Sequence, residues 1–118
     1  MLIINLESRD IMKKTYNKLV RDKIPEIIKN NGEIPKIRIL NDEEYKEELE
    51  LKLYEEYKEV IESNSTDRLE ELADLLEVIN ALANLENKDL SDIIEIANNK
   101  SKKRGAFKEK IFLENVTK

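Results

Sequence analysis

Two pairs of acidic residues in the middle of the sequence have the spacing of neighbours on a helix. Glu56 and Glu59 form the first pair, and Glu71 and Asp74 form the second. Residues three apart lie on one face of an α-helix, so each pair directs its carboxylates the same way. The polar segment 62–66 predicts a turn between two antiparallel helices. In such a hairpin Glu56 lies level with Asp74, and Glu59 lies level with Glu71.

Four carboxylates that converge in this way repel one another unless cations lie between them. The sequence contains no His and no Cys, so oxygen atoms are the ligands on offer. Such ligands suit Mg²⁺, or alternatively Mn²⁺, and Mg²⁺ usually completes its coordination with water and substrate phosphates. The pattern therefore predicts a magnesium site that acts on a phosphate ester or anhydride. Its predicted ligands are Glu56, Glu59, Glu71 and Asp74.

A solvated helix surface is the alternative for any one of these acids, because 40% of the residues are charged. The apolar neighbours argue against this alternative for the group. Glu56 belongs to a helical row with Leu49, Leu53 and Val60. A charged residue in a core-facing row is costly, so the sequence favours a specific role for it.

The same acids, together with two basic segments, resemble a known family. Segments 55–59 (EEYKE) and 71–74 (ELAD) resemble the EExxE and ExxD motifs of the MazG-like, all-α nucleoside triphosphate pyrophosphohydrolases. Segments 16–25 (YNKLVRDKIP) and 103–107 (KRGAF) resemble the branch described as phosphoribosyl-ATP pyrophosphohydrolase-like. The resemblance extends over about residues 16–113.

The resemblance implies a Mg²⁺-dependent enzyme that cleaves a nucleoside triphosphate between its α- and β-phosphates, releasing a monophosphate and pyrophosphate. House-cleaning of the nucleotide pool is the implied role, and phosphoribosyl-ATP is the alternative substrate. Because His is absent, a carboxylate must accept the proton of the attacking water, and Glu59 and Glu55 are the candidates. The candidates for phosphate contacts are Lys18, Arg21, Lys23, Lys103 and Arg104.

Two other classes of protein remain open at this stage. A di-iron carboxylate bundle also uses paired helical acids, but it normally carries Glu-x-x-His pairs, and this chain has no His. A non-catalytic helical interaction module is the second alternative. It predicts that no nucleotide releases phosphate in a Mg²⁺-dependent way.

Length and charge narrow the choice of partners. A chain of 118 residues predicts one domain, at 16–118, preceded by an N-terminal extension or arm at 1–15. The net charge of -5 argues against a nucleic-acid polymer as partner. No apolar run has the length of a membrane span. The apolar stretch at the start is too short for a signal peptide and is followed at once by an acidic residue. We therefore expect a soluble cytoplasmic protein whose partner is a nucleotide and not a membrane.

Apolar periodicity predicts an all-α bundle of about four helices. A short helix is predicted at 25–29 and an extended connector at 34–40. Three longer helices are predicted at 41–62, 69–85 and 90–103. Polar side chains are predicted to cap the start of each helix. In chain order these are Asp22, the pair Asn41 and Glu44, either Ser65 or Thr66, and the pair Asp89 and Asp92. Gly32 and Gly105 are predicted to end the first and last helices.

The helix at 69–85 carries apolar residues on more than one side. One row contains Leu69, Leu72 and Leu76, and the other contains Leu75 and Val78. A short neighbouring pair of helices cannot cover both rows, so we expect a homodimer or a larger homo-oligomer. A second chain can then lend basic residues to the site. The apolar tail that follows is expected to pack back on the bundle.

Overall fold

The computed structural model of the chain describes residues 13–118, and every regular element in that range is an α-helix. The helices are α1 (Ile24–Asn30), α2 (Asp42–Glu62), α3 (Arg68–Leu85) and α4 (Leu90–Arg104). The predicted all-α fold with about four helices is therefore confirmed for these residues. Most of the predicted arm at 1–15 lies outside the described part, which begins at Lys13. The single domain at 16–118 stays a prediction.

The chain divides into two compact units, at residues 1–48 and 49–118. The first unit contains α1 and the start of α2. The second contains the rest of α2 together with α3 and α4, and all four paired acids belong to it.

The short helix α1 of the first unit carries Pro in its first turn, where the missing N–H is harmless. It ends at Asn30, and the predicted glycine follows the cap residue Asn31 at Gly32, whose positive φ suits a residue without a β-carbon. The Glu33 N–H donates to the Ile28 carbonyl at 3.2 Å, which closes the last turn. The predicted cap at Asp22 is wrong. Lys23 holds the cap position without a side-chain hydrogen bond, and the Ile24 N–H donates to a backbone carbonyl instead.

The predicted cap of α2 is confirmed, and the predicted connector before it contains no strand or helix. Residues 33–41 form no regular element. The Glu44 N–H donates to Asn41 Oδ1 at 2.8 Å, and the Asn41 N–H donates to Glu44 Oε1 at 3.4 Å. Arg38 donates two further hydrogen bonds to the Glu44 carboxylate, at 3.2 and 2.9 Å. This charged pair holds the pKa of Glu44 below its ordinary value.

The turn between α2 and α3 differs from its prediction in one detail. Neither Ser65 nor Thr66 caps α3, which begins at Arg68. Asn64 Oδ1 accepts hydrogen bonds from the N–H groups of Thr66 and Asp67, both at 3.0 Å. Asn64, at the start of the turn, therefore satisfies the backbone donors at its end. The turn occupies residues 63–67, between the end of α2 and the start of α3.

The helices α3 and α4 pack against each other. The Leu90 N–H at the start of α4 donates to Asn80 Oδ1 of α3 at 3.1 Å. The predicted Asp89 and Asp92 capping box is confirmed, with the Asp89 N–H donating to Asp92 Oδ2 at 2.8 Å. Gly105 ends α4, as predicted, and its φ is also positive.

Few apolar side chains are buried among the described residues. Leu49, Val78 and Ala83 are the buried hydrophobic residues there, and no described side chain is less than 2% exposed. The C-terminal tail is exposed along residues 105–118, so the expected packing of the tail on its own chain is wrong. None of the described helices is long and apolar enough to cross a membrane.

Candidate metal centre

Four carboxylates from two helices meet in the second unit. One oxygen atom of each acid lies within 4.8 Å of the corresponding atoms of the other three. The helix α2 supplies Glu56 and Glu59, while α3 supplies Glu71 and Asp74. The structure thus brings together the four predicted metal ligands. We call them the carboxylate cluster.

Glu56 is the buried member of the carboxylate cluster, with 7% of its surface exposed. Its burial follows from its place in the apolar row of α2, which faces the interior. Burial is the main reason that the pKa of Glu56 lies above its ordinary value, and the Glu59 charge adds to the shift. The Oε2 atom of Glu56 has no hydrogen-bond partner.

Glu71 is the corresponding half-buried acid of α3. A hydrogen bond to the Glu59 carboxylate is the main reason that the pKa of Glu71 is raised, and burial adds to it. The Asp74 charge acts in the same direction. The Oε2 atom of Glu71 is buried without a hydrogen-bond partner, so each helix contributes one unsatisfied carboxylate oxygen.

Lys52 lies beside the carboxylate cluster and was missed in the sequence. Its Nζ atom is 3.8 Å from Glu56 Oε1 and 3.7 Å from Glu55 Oε1. The positive charge lowers the pKa of Glu56 but does not cancel the effect of burial. The i, i+4 spacing between Lys52 and Glu56 is the signal that could have revealed it.

The donor atoms of the carboxylate cluster fit a hard divalent cation. Buried polar atoms normally have partners, so the unsatisfied oxygens of Glu56 and Glu71 are compatible with ligation of a cation. Oxygens bound to one Mg²⁺ lie at most about 4.2 Å apart, given bonds of roughly 2.1 Å. Small side-chain movements suffice to bring oxygens now within 4.8 Å to that separation. Mg²⁺ or Mn²⁺ is therefore compatible with these residues.

The remaining predicted residues lie outside the carboxylate cluster. Glu55 is half-buried beside Lys52. Lys18, Arg21 and Lys23 are exposed residues of the first unit, and they precede α1. Lys103 and Arg104 are exposed in the last turn of α4. In the described part of the second unit, no hydrogen bond or ion pair joins these last two to the cluster, so their roles stay predictions.

An aromatic groove lies between α2 and α3. Its volume is about 450 Å³, and its lining is formed by Glu50, Leu53, Tyr54, Tyr57, Leu75 and Ile79. The rings of Tyr54 and Tyr57 are 6.4 Å apart between centroids, and both side chains are exposed. We call this feature the tyrosine groove. Tyr57 directly follows Glu56, so the groove and the carboxylate cluster share one stretch of α2.

Comparison with known proteins gives one relevant similarity. No family model matches the sequence. No solved structure matches the chain. The chain is similar to an uncharacterized protein of Mycolicibacterium smegmatis, with 47% identity over 49 residues. The match covers 42% of this chain and 50% of the relative, so the chain spans about half the length of the relative that it matches.

Proposed function

We propose that the chain is a Mg²⁺-dependent nucleotide pyrophosphohydrolase of the MazG-like kind. The observation that carries the proposal is the carboxylate cluster, in which two helices contribute two acids each and leave two buried oxygens unsatisfied. The resemblance of segments 55–59 and 71–74 to the EExxE and ExxD motifs supports it. The proposed reaction splits a nucleoside triphosphate between its α- and β-phosphates.

The cluster residues would hold Mg²⁺ through their carboxylate oxygens. When bound, the ion neutralises phosphate charge and makes water a better nucleophile near neutral pH. The raised pKa values of Glu56 and Glu71 show that these acids resist ionisation without a cation. Both act as metal ligands only in the ionised form, so the affinity of the site for the ion should rise as the pH rises through their pKa values.

A carboxylate must also accept a proton from the attacking water. Glu55 is the first candidate because it is not one of the four converging acids and lies 3.7 Å from the Lys52 ammonium group. Glu59 is the second candidate. As the water oxygen bonds to phosphorus, its proton passes to this carboxylate, the bond to the bridging oxygen breaks, and pyrophosphate and a monophosphate result.

The tyrosine groove offers a surface for the base of the nucleotide. Aromatic side chains stack on any nucleobase through its π-face, and the Glu50 carboxylate in the lining can accept hydrogen bonds from base N–H groups. Lys103 and Arg104 are the proposed contacts of the outer phosphates. House-cleaning of nucleotides is the proposed role, and phosphoribosyl-ATP is the alternative substrate.

A panel of nucleotides tests the reaction class. The purified chain is incubated with each nucleoside triphosphate and with phosphoribosyl-ATP, with Mg²⁺ or with EDTA, and pyrophosphate and orthophosphate are measured separately. We expect Mg²⁺-dependent release of pyrophosphate from at least one of them. Orthophosphate as the first product contradicts the proposed bond cleavage, and no product from any nucleotide favours the non-catalytic interaction module.

Matched variants show whether the carboxylate cluster performs the reaction. Glu59→Gln and Asp74→Asn keep the side-chain shape and remove a charged oxygen. We expect each to lower activity by more than the roughly 10–100-fold that changes in outer-shell metal partners cost. Glu62→Gln and Glu70→Gln change exposed acids of the same helices outside the cluster, and we expect near-parent rates. Parent rates for both cluster variants would show that the four-carboxylate site is wrong.

A further inference from the structure

A second groove, which we call the α3 groove, is lined entirely by apolar residues. It has a volume of about 430 Å³ and is formed by Leu69, Leu72, Ala73, Leu75, Leu76 and Ile79. Leu69 is 77% exposed there, and Leu72 and Leu76 are also exposed. A contiguous apolar patch of this kind marks an interaction surface. No polar side chain belongs to the lining, which argues against a small polar ligand, because such a ligand needs a few polar groups for orientation.

The C-terminal segment 105–118 presents a matching set of unpartnered apolar side chains. Phe107 is 99% exposed and Phe112 is 87% exposed. Ile111, Leu113 and Val116 are exposed as well. Burial of each such side chain is favourable, so a segment with five of them favours a binding surface over water.

The lengths of the two features agree. The α3 groove extends from Leu69 to Ile79 along one helix. At the rise of an α-helix, this stretch is about 15 Å long. Residues 107–110 form a turn, in which the Lys110 N–H donates to the Phe107 carbonyl at 3.4 Å. The stretch 110–116 that follows contains no regular element. In extended form this stretch spans about 20 Å, so it can cover the whole groove.

Charge decides which part of a second copy fits the α3 groove. The helix α3 carries acids beside the groove, at Glu70 and Glu77 and in the carboxylate cluster. Two α3 grooves packed against each other would bring these acids together, which is unfavourable. The C-terminal segment carries Lys108, Lys110 and Lys118 against Glu109 and Glu114, and the last turn of α4 directly before it adds Lys102, Lys103 and Arg104. This stretch as a whole is basic, and its charge is thus complementary to the acids of α3.

We propose that the chain forms a two-fold dimer in which the C-terminal segment 105–118 of each copy lies in the α3 groove of the other. The exchange is reciprocal, so one interaction is made twice and both exposed apolar surfaces are covered. In this arrangement Arg104, which directly precedes the segment, lies close to the partner copy. The dimer itself does not depend on the proposed function, and its tests use no activity measurement.

Sedimentation of the full chain is the first test. We expect a mass twice the 13.9 kDa of one chain at micromolar concentration. Leu76→Glu in the groove and Phe112→Glu in the segment should each shift the mass towards one chain, with unchanged helix content by circular dichroism. Ile34→Glu, at a 95% exposed position of the connector, should remain dimeric. A parent chain that sediments as a monomer overturns the proposal.

Cross-linking identifies which segments are in contact. The sequence contains no natural Cys, so only the introduced Cys residues can react. A chain with Ala73→Cys is mixed with a chain that carries Lys110→Cys, Ile111→Cys or Leu113→Cys, and a short thiol cross-linker is added. We expect a covalent pair between different chains from at least one mixture. With Ala73→Cys and Leu113→Cys in the same chain, a link within one chain instead shows that the segment folds back on itself, which overturns the proposal.

The single-Cys chains, tested alone, distinguish the remaining arrangement. Covalent pairs formed by Ala73→Cys alone, without any pair between residue 73 and the C-terminal segment, indicate direct packing of two α3 grooves. That result also overturns the exchange of segments. Because none of these measurements needs a nucleotide, a dimer of this kind can be established even if the chain proves to be catalytically inactive.

Discussion

Carboxylate oxygens of Glu71 on α3 and Glu59 on α2 lie within 4.8 Å of each other, so two successive helices meet through a pair of acids. A proton shared by the two groups offsets their repulsion, and the interaction with Glu59 is the main reason that the pKa of Glu71 is raised. A divalent cation can take the place of that proton, because it satisfies the same oxygens. The predictions about metal and pH rest on this competition between protons and metal.

Mg²⁺ should stabilise the folded chain. Relief of repulsion in the carboxylate cluster should raise the melting temperature, and an ion at 100 times its dissociation constant contributes about 2.7 kcal/mol to the free energy of unfolding. In Glu59→Gln and Asp74→Asn this gain should be much smaller, while stability without Mg²⁺ is unchanged or higher, because one repelling charge is gone. Thermal unfolding with Mg²⁺ and with EDTA measures both effects.

Two control variants delimit that prediction. Glu62→Gln and Glu70→Gln remove exposed charges from the same helices outside the cluster, and each should keep the full stabilisation by Mg²⁺. Equal gains in all four variants would mean that the ion binds elsewhere.

The metal-free protein should lose stability as the pH rises above the ordinary range of Glu. Glu56 and Glu71 have raised pKa values in the folded state, so between the ordinary and the raised values the folded chain binds more protons than the unfolded chain. The free energy of unfolding therefore falls with rising pH across that interval. The pKa of Glu44 is lowered in the folded state, so Glu44 changes the stability only at pH values below the ordinary pKa of Glu. Its effect therefore does not mask this slope.

Denaturant unfolding at a series of pH values with EDTA measures that slope. Saturating Mg²⁺ should reverse it, because metal binding releases the protons. Glu71→Gln should reduce the slope without metal, and Glu70→Gln should leave it unchanged. Stability that is independent of pH across this interval in the parent would contradict the prediction.

Lys52 should stabilise the metal-free protein mainly when the carboxylates are ionised. Its Nζ atom lies 3.8 Å from Glu56 Oε1, and its charge lowers the pKa of that acid. Lys52→Met should therefore raise the pKa of Glu56 further and reduce the free energy of unfolding more at neutral pH than in acid, where the carboxylates are protonated. Lys58→Met, on an exposed position of the same helix, should show no such difference. A loss of equal size at both pH values would indicate a packing role.

Tyr57 should contribute to nucleotide binding without affecting the metal. Stacking of a base on an aromatic ring is worth about 1–3 kcal/mol, so Tyr57→Ala should raise KM by roughly 5- to 150-fold. Stabilisation by Mg²⁺ without nucleotide should match the parent. Tyr57→Phe keeps the ring and should restore most of the affinity. If Phe behaves like Ala, the hydroxyl group and not the ring surface is what matters.

Lys103 and Arg104 should act on the substrate and not on the metal. Lys103→Ala or Arg104→Ala should weaken nucleotide use, while Mg²⁺ binding without nucleotide stays near the parent value. In the proposed dimer, a mixture of Arg104→Ala chains and Asp74→Asn chains should recover activity, up to about one quarter of the parent, since a mixed dimer has one complete site. No recovery would place these cations in the site of their own chain.

Local signals in the sequence account for most of what could be predicted. The capping boxes at Asn41 and Asp89 depend on residues three positions apart, and both are present in the structure. The ends at Gly32 and Gly105 follow from the freedom of glycine at positive φ. The failed predictions at Asp22 and Thr66 concern turns in which another nearby acceptor was available, and sequence spacing does not rank such competitors.

The sequence by itself determined that Glu56 and Glu59 lie level with Asp74 and Glu71, because helical rise and an antiparallel turn decide the levels of residues. Tertiary structure decided everything that depends on distance and burial. It buried Glu56, joined Glu71 to Glu59, and placed Lys52 against two acids. It also left the C-terminal segment exposed. An apolar pattern indicates that a segment needs a partner surface. Which surface covers the segment depends on contacts between residues far apart in the chain, and the periodicity of a sequence does not specify such contacts.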